Sequence, residues 1–414
     1  LHVAAARYHA GVKYPGVFQF DSSSNCSAWN IPPWLIPVAE LRCDHAGVAS
    51  LRTAAGVVRR FDDPLAAIRW METSLPDDPA SPQRWVGYVA YEFARFCDAI
   101  TLSARDELDL PLFRFVRLAR PAEAEPIRFP PPPPGRRDPL VRVFSRNQYL
   151  VAARQVLDYI AAGDIYQANL SQRFVVGSPD PAAEVYTRLR SATPATYGAL
   201  LDFGDLAVVS NSPELFFSIA PAPAGGRRIL NRPIKGTRPR APGMREALEQ
   251  SEKDRAELAM IVDLQRNDLG RVCAIGSVRV IEPRAIEEHP TVYHGVATIE
   301  GALRDDATLC DVLRAVFPCG SITGCPKIRA MQVIDELEPV ARGPYCGAVG
   351  IVAPGGFATF NVAIRTMTLA KGRAHVSVGG GIVADSDPHE EHDETIVKAF
   401  AMLRSLGVDA RELR

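Results

Sequence analysis

Gly163-Asp164-Ile165-Tyr166-Gln167-Ala168-Asn169-Leu170-Ser171-Gln172-Arg173-Phe174 is the stretch on which the fold turns. Within it, polar Gln167, Asn169, Ser171 and Arg173 alternate with Tyr166, Ala168, Leu170 and Phe174, the period-two pattern of a half-buried strand. Upstream, Ser145 and Gln148 have capping-box spacing, so a helix is expected to run to about Ala162 and to end at Gly163. Working outward, strands are expected at Leu206 to Ser210, Ala348 to Val352, Phe360 to Met367 and Ala374 to Val378. Helices are expected near Arg245 to Gln265, Ala307 to Val316 and Ile328 to Leu337. That order implies an α+β fold with large, mainly antiparallel sheets flanked by helices. The chain shows no internal repeat and no Rossmann or P-loop fingerprint.

Between Pro126 and Pro139 lie five consecutive prolines, Pro130 to Pro134, followed by Gly135, Arg136 and Arg137. Such a run cannot donate backbone hydrogen bonds and reads as an extended surface connector. Three parts are therefore expected: an N-terminal domain over 1–125, a Pro-rich linker over 126–144 and a catalytic domain over 145–414. The N-terminal part offers alternation at Trp85 to Tyr91 and a helical stretch at Pro64 to Met71, but little chemistry.

The 47 Lys+Arg against 48 Asp+Glu, in 414 residues, leave a formal charge of -1 without a basic run to follow a phosphate backbone or a lipid surface. Nucleic acid and membrane are thus excluded as expected partners. The eight cysteines are scattered without C-x-x-C spacing and read as reduced, mostly buried thiols. No apolar run approaches the roughly 18 residues of a membrane helix and no signal pattern is evident, so the expected location is the cytosol.

The chemistry gathers towards the end of the chain. Gly379-Gly380-Gly381 precedes Asp387-Pro388, an N-cap and N1 pair for a helix to about Leu406. On that helix Glu391, Glu394 and Lys398 lie within about 60° of one another, opposite Ile396, Phe400 and Leu403. An isolated helix would present such a face to water. After a glycine triplet, which lets backbone N–H groups approach an anion, two carboxylates suit a hard cation such as Mg2+. Asp254 and Glu257, at i and i+3 on another helix, would complete the site if the two helices face each other. Lys235 stands in Arg232-Pro233-Ile234-Lys235-Gly236-Thr237-Arg238-Pro239. It is a nucleophile if neighbours lower its pKa and a loop lysine otherwise. Glu214, at a strand end in Ser212-Pro213-Glu214-Leu215, suits general acid–base work. His294, Thr323 and Tyr345 are weaker candidates. Arg365, expected inside an apolar strand, is a stronger one, because a buried guanidinium needs an anionic partner.

In this order, seven segments resemble the chorismate-utilising enzymes, the family of anthranilate synthase component I, aminodeoxychorismate synthase component I and the isochorismate and salicylate synthases. They are GDIYQANLSQRF at Gly163, SPELFF at Ser212, PIKGTRPR at Pro233, MIVDLQRNDLGRV at Met260, GSITGCPKIRAM at Gly320, FNVAIRTM at Phe360 and GGGIVADSDPHEEHDET at Gly379. The resemblance covers about Ser145 to Leu406 and implies an anthranilate synthase component I-like fold. It implies Glu257 and Glu394 as direct Mg2+ ligands, supported through water by Asp254 and Glu391. It also implies Arg365 and Tyr345, with Gly379, Gly380, Gly381 and Lys398, against the enolpyruvyl carboxylate of chorismate. His294 and Thr323 fall on the ring side beside Thr237, and Glu214 becomes the acid at the C4 hydroxyl.

Lys235 then separates the branches. PIKGT with lysine looks like the aminodeoxychorismate synthases, in which the lysine attacks C2 of chorismate before ammonia adds at C4. The expected product, 4-amino-4-deoxychorismate, leads to 4-aminobenzoate and folate. The expected partner is a separate glutamine amidotransferase subunit that supplies ammonia. Gln167 stands where the isochorismate branch carries a water-activating lysine. Leu258, Gly295 and Cys325 depart from the family pattern without removing a reacting group. Anthranilate formation is the alternative branch. A lysine Schiff-base or pyridoxal phosphate enzyme and a catalytically silent scaffold are the readings from other classes.

Overall fold

The computed structural model describes residues 17–21, 35–120, 122–123, 138–177, 180–223 and 225–413. The proline run from Pro130 to Pro134 and Cys26 lie outside these residues. The described end of the expected linker, 138–144, includes the short strand Val141–Arg142, which pairs with Gln167–Gly177. Among the described residues no helix is long and apolar enough to cross a membrane.

Two sheets dominate, and every strand pairing among the described residues is antiparallel. The smaller runs Val17–Asp21, Tyr197–Asp202, Leu206–Ser212, Thr366–Ala370, Arg373–Ile382, Gln167–Gly177, Gly324–Cys325. In the larger sheet, strands from residues 36–119 and from residues 215–362 share one ladder, because Arg84–Val89 pairs with Ala348–Ala353.

Period-two side-chain direction gives these sheets three apolar interfaces, one between them and one on each outer face. Ala199, Leu201, Leu206 and Val208 of the smaller sheet meet Val86, Tyr88, Val349 and Ile351 of the larger between the sheets. The alternate residues Leu200, Ala207, Val209 and Val376 face the helices Ala182–Ala192 and Pro388–Ser405. On the far side, Trp85, Phe113, Phe115 and Phe360 pack with the helices Pro64–Thr73, Glu252–Gly270 and Leu309–Val316.

Three elements differ from their sequence reading. The strand expected at Tyr166 to Phe174 begins at Gln167, leaves Tyr166 70% exposed and is buried throughout its length rather than half-buried. Its polar face points into the protein, where Asn169 Nδ2 donates to Ile322 O at 3.1 Å and Arg173 Nε donates to Ser377 Oγ at 3.1 Å. The expected strand Phe360 to Met367 is two strands, Phe357–Val362 in the larger sheet and Thr366–Ala370 in the smaller. Between them Arg365 takes φ 51°, the left-handed turn by which the chain changes sheets. The expected helix Arg245 to Gln265 is likewise two, Met244–Gln250 and Glu252–Gly270. Ser251 stands at the break and caps the second helix by accepting from Asp254 N.

Glu338 and Arg342 tie these pieces together. Arg342 donates to Glu338 Oε1 at 2.6 Å and to Oε2 at 2.9 Å, and also to Ile322 O and Asn169 O. The second acceptor face of Glu338 receives Ser171 N at 2.8 Å. Tyr91 stacks beneath the guanidinium at 4.8 Å, and Glu92 accepts from Arg342 N at 2.7 Å. Removing one member of a buried pair strands the other charge. Glu338→Ala is therefore expected to cost about 3–5 kcal/mol in urea unfolding. Asp263→Ala, which breaks the exposed Asp263–Arg266 pair, is expected to cost under about 1 kcal/mol.

Candidate active site

A cavity of about 780 Å3 opens beside the sheet crossover. Several elements meet there: Pro213 and Glu214 just after strand Leu206–Ser212, the strands Gln167–Gly177, Ile234–Pro239, Val292–Ala302 and Arg373–Ile382, and the helices Glu252–Gly270 and Pro388–Ser405. Of the residues expected from the sequence, Glu214, Lys235, Thr237, Asp254, Glu257, His294, Tyr345, Arg365, Gly379, Gly381, Glu391, Glu394 and Lys398 line it. Three do not. Gln167 is fully buried behind Gly381, and both polar atoms of its amide lack a protein partner. Gly380 faces the other way, towards Glu391 Oε2 and Lys398 Nζ. The Thr323 hydroxyl donates to Cys319 O at 3.2 Å, and its carbonyl accepts from Asn169 N at 2.8 Å.

The glycine triplet is part of a strand, in register with Ser171, Leu170 and Asn169. Its role is close approach: a Cβ at Gly381 would stand 2.5 Å from Gln167 Nε2 and 3.3 Å from Lys235 Nζ. The two acidic pairs do face the same cavity, and each carboxylate already has a protein partner. Lys235 Nζ lies 3.7 Å from Glu257, Arg238 lies 2.8 Å from Asp254, and Lys398 lies 2.6 Å from Glu394. Ser386 Oγ donates to Glu391 at 2.7 Å. Burial raises the Glu391 carboxyl above its ordinary range; burial also acts on Glu394, but Lys398, with Lys235 and Lys253, outweighs it and brings Glu394 below that range. An all-carboxylate donor set of this kind fits a hard divalent cation. Among the described residues, the His/Asp group tight enough to coordinate a metal ion is elsewhere, at His45, Asp106 and Asp109.

Opposite the acidic wall, Glu214 is 3% exposed and its Oε1 has no protein partner. Burial pushes its pKa from an ordinary 4.5 to about 7, against the pull of a hydrogen bond from Ser321 and the charge of Lys235. His294 Nδ1 lies 2.9 Å from Thr237 Oγ1. Burial, reinforced by the nearby His289 ring and the Arg365 guanidinium, brings the His294 pKa down to about 3, so the ring is neutral at physiological pH. Arg365 has no carboxylate partner among the described residues and is a cation available to an anionic ligand at the cavity wall. Lys253, Asn169, Ser321 and Ser377 also line the cavity. None was singled out in the sequence, although the unusual polarity of the strand face carrying Asn169 was the available signal.

The family profile described as chorismate binding enzyme matches residues 45–404. The chain belongs to that family. Anthranilate synthase component 1 of Thermus thermophilus is 39% identical over 369 residues, 80% of this chain and 79% of that protein. Aminodeoxychorismate synthase component 1 of Escherichia coli is 43% identical over 269 residues, 64% of this chain and 58% of that protein. The chain therefore spans little more than half of several curated relatives. Among solved structures, anthranilate synthase component I from Streptococcus pneumoniae superposes with a TM-score of 0.76 at 27% identity, covering 96% of this chain and 95% of that one. The α+β fold with large antiparallel sheets is the fold of that protein.

The sign of the Glu214 effect on stability follows from its raised pKa. The folded state holds the proton more tightly, so this contribution is full below about pH 4.5 and is lost as the pH rises through about 7. Wild-type stability is expected to fall by roughly 3 kcal/mol from this group across that window, and Glu214→Gln to remove that segment of the curve. Denaturant unfolding at a series of pH values measures it.

Proposed function

We propose that the chain is the chorismate-aminating component of an aminodeoxychorismate synthase, which forms 4-amino-4-deoxychorismate and water from chorismate and ammonia. The observation that carries this reading is the pairing of Lys235 and Glu214 across one cavity, an amine and a carboxylic acid that keeps its proton near neutrality. The Lys235 amine attacks C2 of chorismate, the ring double bonds shift, and the C4 hydroxyl departs as water with the Glu214 proton. Ammonia then adds at C4, the double bonds return, the Lys235 amine is expelled from C2, and the proton that the added ammonia sheds returns to the Glu214 carboxylate. Splitting one difficult substitution into two displacements is the usual gain of covalent catalysis.

The remaining groups bind and orient. Arg365 and Tyr345 hold the enolpyruvyl carboxylate, with Gly381 and Lys398 completing that end of the cavity. Neutral His294, fixed by Thr237, contacts the ring, while Gln167 packs behind Gly381 and Thr323 supports Asn169. Glu257 and Glu394 would hold Mg2+ directly, with Asp254 and Glu391 in support. When bound, the ion supplies charge neutralisation for the ring carboxylate. The ammonia comes from a separate glutamine amidotransferase subunit.

Anthranilate formation is the second reading, favoured by the longer match to the Thermus anthranilate synthase component 1. Product analysis by mass spectrometry separates the two. Purified protein with chorismate, Mg2+ and ammonium is expected to yield aminodeoxychorismate, and Lys235→Ala to reduce the rate by about 10²-fold or more. Anthranilate and pyruvate as products, or an unimpaired Lys235→Ala variant, would sink the proposal.

A further inference from the structure

Lys235 sits where its strand slips register against its neighbour. Ile234 pairs with Val296 and Thr237 with His294, so three steps along Ile234–Pro239 are matched by two along Val292–Ala302. The extra residue forms a bulge at Lys235-Gly236, opposite Gly295. A bulge bends its strand and re-aims a side chain, which a regular ladder would direct by simple alternation.

Two glycines make the bulge possible. Gly236 has φ 82°, in the left-handed region that side-chain-bearing residues avoid. A Cβ there would also stand 2.7 Å from Leu248 Cδ1 and 2.9 Å from Asp254 Cγ. At Gly295, a Cβ would stand 2.6 Å from the carbonyl oxygen of Lys235. That contact is with backbone, so no rotamer change relieves it and the Lys235 segment itself must move. In front, the Lys235 ammonium lies 3.7 Å from Glu257 and would stand 3.3 Å from a Cβ placed at Gly381.

We propose that Gly295 and Gly236 are positioning residues for Lys235. Their missing side chains seat the bulge against strand Val292–Ala302 and helix Glu252–Gly270, and that seating aims the amine into the cavity. The catalytic consequence rests on the reading of Lys235 as the reacting lysine; the geometric one does not.

The test uses Gly295→Ala, Gly236→Ala and, as a control, Gly301→Ala. Gly301 lies on the same strand as Gly295, but a Cβ there would meet Cys273 Sγ at 2.6 Å instead of Lys235. Each variant is assayed for kcat and KM with chorismate, and for reductive methylation of Lys235 relative to Lys398 by peptide mass spectrometry in the absence of substrate. Gly295→Ala is expected to lose about 10²-fold in kcat with KM for chorismate little changed, the signature of a misplaced reacting group. Its Lys235-to-Lys398 labelling ratio is expected to shift, as is that of Gly236→Ala, while Gly301→Ala keeps the wild-type ratio and kcat. Wild-type labelling in Gly295→Ala and Gly236→Ala overturns the inference. So does an equal loss of kcat in Gly301→Ala at equal thermal stability. Should Gly295→Ala fail to fold, the Gly236→Ala labelling ratio decides. An altered labelling ratio in the glycine variants, with full activity in Lys235→Ala, would instead uphold the positioning and defeat the function assigned to the lysine.

Discussion

The Glu338–Arg342 pair is the interaction on which the architecture depends. A buried guanidinium must have its donors satisfied, and Arg342 does so by gathering Glu338, Ile322 O and Asn169 O around itself. Each acceptor comes from a different part of the chain. Asn169 lies on the strand Gln167–Gly177 of the smaller sheet, Ile322 precedes the helix Lys327–Leu337, and Tyr91 and Glu92 come from the N-terminal third. One ion pair thereby fixes the lateral position of the smaller sheet relative to the strands that cover it. It also holds Asn169, whose neighbours on the same strand back the cavity.

Charge balance shapes the cavity in the same way. Four carboxylates on two helices could not share one wall without cations among them, and Lys235, Arg238 and Lys398 are interleaved with three of them. Across from this wall the polarity reverses: Glu214 is desolvated enough to keep its proton near neutrality, and His294 is desolvated enough to lose its own. Arg365, carried there by the turn between sheets, has a positive charge and no carboxylate ion-pair partner among the described residues. A small carboxylated metabolite, of the kind the family's description names, suits a cavity wall with that charge.

Much of the fold was legible because it is local. The helix Arg146–Ala161 begins and ends where its capping box and Gly163 place it, and the 3.6- and 2.0-residue periods mark most other elements. Errors arose where a local pattern has two spatial meanings. Alternation in Gln167–Gly177 distinguishes the two faces of a strand, but water and a polar interior look alike from the sequence. The apolar run through Arg365 gave no sign of a sheet change, because both halves have strand character and only the long-range partners differ.

The sequence by itself determined the family, through motifs read in order along the chain, and it supplied the candidate lysine, acid and acidic helix pairs. It also placed several elements of the later chain, among them the helices Arg146–Ala161 and Lys327–Leu337, to within a few residues. Only the tertiary structure decided which of those groups meet: Thr323 and Gln167 fell behind the wall, while Lys253 and Ser321 joined it. Only the tertiary structure, too, set the aim of Lys235, through a bulge opposite Gly295, and the protonation of Glu214, through complete burial. Direction and desolvation are properties of neighbours remote in sequence, and no reading of local spacing contains them.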